Sequence, residues 1–194
     1  MKFSVLFKTT TKLLIVLSLF IHNTTLSDIS KAFPDMSNVF SEVEFRDDEK
    51  QFFKYDGYKD KVLLIFFGYT HCPDVCPTTV LDMAKVLKEL DSKSNEVQPI
   101  FISVDYQRDT QKSVNNYVNF FDKRIAALTS NKENIDILTK HFKTKYDLVD
   151  PSKEGYIVEH SSNIYILDKN LQVKKIIPNG IPSNEIANFI KKIL

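Results

Sequence analysis

From Lys61 to Tyr69 the chain reads KVLLIFFGY, an almost unbroken apolar run of strand length. Such a run predicts a strand buried on both faces of a sheet. The period then changes. In PTTVLDMAKVLKELD, Val80, Met83, Ala84, Leu87 and Leu90 recur at helical spacing. EVQPIFISVD is a second buried strand, ending at Asp105. Two amphipathic helices follow. DTQKSVNNYVNFFD sets Val114, Tyr117, Val118 and Phe121 on one face, and NKENIDILTKHFK does the same with Ile135, Leu138 and Phe142. YDLVD predicts a short strand. SNIYILDKNLQVKKIIP carries two alternating runs around DKN and reads as a hairpin. PSNEIANFIKKIL, opening on Pro182 and Ser183, reads as a closing helix. Upstream, NVFSEVEFRDDEKQFFKY alternates weakly about a charged RDDEK turn and reads as a hairpin of its own.

Strands alternating with helices call for an α/β sheet covered by helices. The order predicts a thioredoxin-like fold with an N-terminal β-hairpin and an inserted segment. Its focus is GYTHCPDVCP, residues 68–77, where the first central strand hands over to its helix. Open α/β sheets place their sites at such carboxyl ends of strands.

The first residues follow a different pattern. Residues 1–27 hold Lys2, Lys8 and Lys12 and no acid, and then LLIVLSLFI spans Leu13 to Ile21. A basic start, a short apolar centre and a small-polar end read as a secretory signal. Nine helical residues rise only ~14 Å against about 30 Å of hydrocarbon, which favours a cleaved signal over an anchor. A mitochondrial presequence fits the missing acids but not the missing arginines or the compact apolar run. Residues 1–29 are therefore expected to be a signal peptide or membrane anchor, and residues 30–194 a single exported domain. Its 43% hydrophobic content is enough for a core. With 26 basic and 25 acidic residues the net charge is +1, which gives no electrostatic footprint for nucleic acid. Four glycines and no GxGxxG or Walker motif exclude the Gly-rich phosphate loops.

Export bears on the chemistry, because Cys72 and Cys76 are the only cysteines. An oxidising compartment drives thiols toward disulfides. Yet a bridge closing so short a loop removes little chain entropy, which makes it a poor staple. A redox-active dithiol is a second reading: both sulfurs lie at a helix N-terminus, whose dipole lowers thiol pKa, and positions four apart share a helix face. A metal is the third, and needs another ligand. Of the four histidines, His22 falls in the export segment and His141 reads as a half-buried surface residue. His71, next to Cys72, points the other way on extended backbone. His160, in YIVEHSSNIYILD, is structural unless the fold brings it to the helix start. Two thiolates and an imidazole without a fourth ligand do not suit structural zinc, and they do suit copper. Asp74 lies between the cysteines and reads as a helix cap or charge-tuning group rather than a ligand.

GYTHCPDVCP, followed by SVDYQRDT and YIVEHSSNIYILD, closely resembles the Sco/SenC family of copper-binding assembly factors for cytochrome c oxidase, from about residue 35 to the C-terminus. That family's pattern is C-x-x-x-C-P, then S-V-D-P-x-R-D-T, then V-D-H-S/T. The resemblance implies copper, as Cu(I), Cu(II) or both, held by Cys72, Cys76 and His160. It also implies a domain outside the bacterial inner membrane, soluble or tethered, or in the mitochondrial intermembrane space. The implied partner is the binuclear copper centre of oxidase subunit II, with a copper donor and a thiol reductant beside it. Two jobs fit the same dithiol. One is copper delivery. The other is thiol–disulfide reduction of the recipient's cysteines, with Cys72 and Cys76 as the catalytic pair. His160 has a purpose only in the first. A peroxidase of peroxiredoxin type is disfavoured, because Tyr69 stands where a threonine precedes the peroxidatic cysteine. Three departures from the pattern are visible: Tyr106 for proline, Glu159 for aspartate, and no glycine in FSEVEFRDDEKQFF.

Overall fold

The computed structural model describes residues 32–33, 35–46, 52–54, 58 and 60–194. The expected signal or anchor, His22 and most of the RDDEK turn lie outside them. No helix among the described residues is long and apolar enough to cross a membrane.

The elements are α1 (Met36–Glu42), β1 (Glu44–Arg46), β2 (Phe52–Lys54), β3 (Val62–Gly68), α2 (Val75–Leu90), β4 (Val97–Ser103), α3 (Gln111–Phe121), β5 (Ala126–Leu128), α4 (Lys132–His141), β6 (Tyr146–Val149), β7 (Ile157–His160), β8 (Ile164–Leu167), β9 (Val173–Ile177) and α5 (Ser183–Lys191). The central sheet has the order β5-β4-β3-β8-β9. β3 pairs parallel with β4 and antiparallel with β8. All seven residues of β3 and all seven of β4 are buried, which is what the unbroken apolar runs demand of strands covered on both faces.

Within the thioredoxin-like arrangement, β3-α2-β4-α3 is one half and β8-β9-α5 the other. The inserted segment is β5, α4 and the β6–β7 hairpin. Successive side chains of β3 point to opposite faces. Phe67 therefore meets Phe142 beyond α4, with ring centroids 5.2 Å apart, while Phe66 meets Phe101 at 6.1 Å on the other face. The helical faces read from the sequence are the ones that pack: Val114, Val118, Ile135, Leu138 and Phe142 are all buried.

One expectation changes, and two strands appear that the sequence pattern does not mark. The stretch read as an upstream hairpin is a hairpin only from Glu44; residues 36–42 form α1, capped by Asp35 accepting from the Ser37 amide at 2.9 Å. Met36, Val39 and Phe40 are buried at helical spacing, which weak alternation had masked. β5 is a three-residue strand between two helices, too short to show a period. Ile157–His160, unassigned from the sequence pattern, is a strand paired with β6.

Candidate metal centre

After Gly68 the chain leaves β3, turns, and enters α2 at Val75. Cys76 lies in the first turn of that helix, but Cys72 precedes it, so the two do not share a helix face as the spacing alone predicts. Instead the Cys72 Sγ accepts the amide of Cys76 at 3.4 Å. A sulfur thus satisfies one of the open N–H groups of the first turn. Asp74 occupies the N-cap position, is exposed, and makes no side-chain capping bond; only its carbonyl accepts, from Thr78 Oγ1 at 3.2 Å. The capping role expected of it is filled by Cys72.

Cys72 is half-buried and Cys76 fully buried, and both are free thiols. Cys76 sits under Gly68. A Cβ on that glycine would fall 2.9 Å from Cys76 Sγ, 2.8 Å from the Phe101 ring and 2.9 Å from the Phe66 ring. The glycine is there for space, because a methyl group would occupy the volume the sulfur uses. Burial pushes the Cys76 thiol well above the ordinary thiol range. The expectation that the helix start lowers both thiols therefore fails at Cys76, where desolvation outweighs the dipole.

His160 ends β7. Its Nδ1 lies 3.1 Å from the Ser161 carbonyl, which can only accept, so Nδ1 carries the proton. Nε2 then presents its lone pair, and it faces Cys76 Sγ at 3.2 Å. In the metal-free protein the Cys76 thiol donates to it. The imidazole is walled by the rings of Phe66 and Tyr69, with centroids at 5.9 and 5.8 Å. Burial lowers the His160 pKa, so the neutral ring is favoured. The ligand atoms of Cys72, Cys76 and His160 all lie within 4.8 Å of one another. Two soft sulfurs and one imidazole nitrogen with a fixed tautomer make a donor set that fits a thiophilic ion such as copper.

The other histidines stand apart from this cluster. His141 presents Nδ1 to the Ile137 carbonyl at 2.8 Å on α4. His71 is exposed, 3.0 Å from Thr70 Oγ1 and 3.8 Å from Asp109 Oδ1. With Asp105 and Asp109 it forms a second ligand-like group. Those carboxylates are already engaged. Asp109 accepts from the Thr70 amide and hydroxyl and from Ser103 Oγ at 3.0, 2.5 and 2.6 Å. Asp105 accepts from Arg108 Nε at 2.5 Å and Tyr156 Oη at 2.6 Å. Sequence reasoning gave these polar residues no role beyond the SVDYQRDT match. The signal was present: two acids and an arginine directly after a fully buried strand must find partners.

Comparisons with known proteins point to one family and one fold. A family model described as SCO1/SenC matches residues 32–194. The chain is 30% identical over 181 residues to a SCO2-like protein of Rickettsia prowazekii, an alignment covering 92% of this chain and 88% of that one. It is 37% identical over 136 residues to the mitochondrial SCO1 homolog of Homo sapiens, covering 69% of this chain and 45% of the human protein. Bradyrhizobium japonicum ScoI with copper bound superposes with a TM-score of 0.70 at 30% identity, covering 78% of this chain and 97% of that one. Yeast Sco1 with copper bound gives a TM-score of 0.67 at 25% identity, covering 77% and 84%.

Proposed function

The chain belongs to the SCO1/SenC family, and from that premise we propose that it is a copper metallochaperone serving the binuclear copper centre of cytochrome c oxidase subunit II. Copper is its cargo, held by Cys72, Cys76 and His160. The observation that carries this reading is the convergence of those three ligand atoms from elements 84 residues apart. Cys72 is half-buried, Cys76 is buried, and His160 Nε2 faces the Cys76 sulfur. Loading requires the thiol protons to leave, and transfer requires a recipient with its own thiolates to approach from the Cys72 side. The domain works on the exported side of the membrane, after a copper donor has loaded it and a thiol reductant has kept the cysteines reduced.

The test is metal titration of the reduced protein, wild type beside His160→Ala. Stoichiometric copper binding that depends on the histidine is the expected result. Copper binding of equal strength in both would remove His160 from the site.

A second reading has its own observation. The more exposed Cys72 sulfur with a buried Cys76 behind it is also the arrangement of an attacking and a resolving thiol. Cys72 thiolate would attack a disulfide of the recipient and form a mixed disulfide. The recipient's other sulfur leaves in that step; Cys76 then attacks the Cys72 sulfur and releases the recipient sulfur bonded to it, leaving the recipient a dithiol and this chain a disulfide. Two electrons leave the pair, and the external thiol reductant restores them. In this chemistry His160 serves as a base for the Cys76 thiol it faces, but exchange needs only the two sulfurs; a third soft-metal donor beside them is what makes delivery the preferred reading.

A further inference from the structure

The two cysteines and His160 belong to different sheets. The cysteines lie between β3 of the five-stranded sheet and the start of α2, whereas among the described residues β7 pairs only with β6, in a sheet of two strands. Something besides a ladder must fix the histidine against the sulfurs. At the β8 side the chain runs from His160 to Ile164, in register with Phe66 of β3. At the other end of β7, Ile157 pairs with Val149 of β6, and among the described residues no ladder ties that end to the central sheet.

That end is held by three residues. Asp105 follows β4 and is fully buried. Its Oδ2 takes Arg108 Nε at 2.5 Å, and its Oδ1 takes the Arg108 amide at 3.2 Å and the Tyr156 hydroxyl at 2.6 Å. Arg108 Nη1 in turn donates to the Tyr156 carbonyl at 2.7 Å, and the guanidinium lies 3.5 Å from the centre of the Tyr156 ring. Tyr156 immediately precedes β7. Arg108 also lies 5.8 Å from the Tyr69 ring, the same ring that stands edge-on to His160. A continuous set of contacts therefore runs from the end of β4, through Asp105, Arg108 and Tyr156, into the strand that carries the histidine.

We propose that the Asp105–Arg108–Tyr156 group is a latch that holds the His160 strand against the two cysteines, which makes Arg108 and Tyr156 positioning residues for the third ligand. The inference rests on the copper reading of Cys72, Cys76 and His160. It assigns the SVDYQRDT segment a task that the ligand set alone does not require. A buried carboxylate paired with an arginine is a weak source of net stability, because desolvation offsets the attraction. It is a strong source of geometry, since the fork meets the carboxylate and the Tyr156 carbonyl at the same time. With the latch intact the imidazole is prepositioned. Without it the strand can move while the sulfurs stay in place, Cys76 on α2 and Cys72 bonded to the first turn through the Cys76 amide.

The experiment uses Arg108→Lys and Tyr156→Phe. The first keeps the charge but cannot reach both partners as the fork does; the second removes one hydroxyl and keeps the ring. Each is compared with His160→Ala and wild type in the full reduced protein. Two things are measured: Cu(II) and Cu(I) affinity, and amide hydrogen exchange in the metal-free state. Both latch variants should lose about 10- to 100-fold in Cu(II) affinity, the usual cost of removing support from a metal-bound histidine. Cu(I) binding, carried by the thiolates, should change little. Amides of Ile157–His160 should exchange faster while those of β3 and β4 keep their protection. Wild-type Cu(II) affinity in both latch variants, with loss in His160→Ala, overturns the latch and leaves the ligand reading standing. Wild-type Cu(II) affinity in His160→Ala overturns the ligand reading itself; the exchange data then decide the latch, with unchanged β7 protection refuting it. Accelerated exchange throughout β3 and β4 would mean general stability rather than positioning, and also refutes it.

Discussion

Cys76 Sγ and His160 Nε2 lie 3.2 Å apart across 84 residues of sequence, with the imidazole lone pair turned toward the sulfur. The Ser161 carbonyl sets that orientation by taking the Nδ1 proton. A thiol and an imidazole so disposed form a neutral pair, and in the proposed copper site they become two of three ligands once the thiol proton departs.

Cys72→Ser and Cys76→Ser should each abolish tight copper binding. A hydroxyl remains protonated at neutral pH and is a hard, poor replacement for a soft thiolate. Folding should survive both changes, with stability lowered by no more than roughly 1–2 kcal/mol. Metal titration alongside thermal unfolding checks this; wild-type copper affinity in either variant contradicts the site.

Gly68→Ala should harm stability and site together. The added methyl group would crowd Cys76 Sγ and the Phe101 and Phe66 rings at 2.8–2.9 Å. Overpacking of this kind costs about 1–3 kcal/mol. The displaced sulfur should also weaken copper binding, whereas a substitution of similar size on the exposed face of α2 should not. Thermal unfolding together with copper titration separates the two effects.

Much of this was legible beforehand because the signals were local. The apolar runs of β3 and β4 and the helical spacing from Val80 to Leu90 depend on neighbours in sequence, and all three elements form as predicted. The two sulfurs were equally plain. What the sequence could not display was depth. Whether Cys76 is a solvated thiol at a helix start or a buried one beneath Gly68 depends on Phe66 and Phe101, residues on two separate strands. His160 was visible as a candidate, but its approach to Cys76 depends on the β6–β7 pairing, whose second strand the sequence pattern did not mark. The latch was hidden for the same reason, since Arg108 and Tyr156 meet only in three dimensions.

Reduced protein should lose stability as pH rises through the ordinary thiol value of 9.0. The folded state holds the Cys76 proton, because burial raises that pKa, while the unfolded chain gives its proton up. Above that value the unfolded state binds fewer protons, so the slope of unfolding free energy against pH is negative. Cys76→Ser should remove this contribution. Chemical denaturation at neutral and alkaline pH measures it, and an equal alkaline slope in the variant would rule out Cys76 as the source.

Oxidation to a Cys72–Cys76 disulfide should block copper loading without unfolding the domain. A disulfide has no thiolate to offer, and closing so short a loop changes chain entropy little. Titrating copper with and without prior reductant checks it. Equal loading of the two forms would contradict the dithiolate site.

His160→Ala separates the two copper states and the two proposed jobs. The variant keeps both sulfurs and loses the nitrogen. Cu(I) is soft and accepts two thiolates alone, whereas Cu(II) prefers sites with nitrogen or oxygen donors. Cu(I) binding should therefore persist and most Cu(II) binding disappear. His160 is not a bare edge residue, since it is half-buried between the Phe66 and Tyr69 rings. Truncation leaves a gap there, and roughly 1–2 kcal/mol of stability should go with it, too little to unfold the domain. Reduction of a model disulfide should continue, because exchange needs only Cys72 and Cys76. A variant that reduces disulfides normally but fails in oxidase assembly would tie the biological role to copper delivery. A variant that supports assembly as well as wild type would move that role to the dithiol alone.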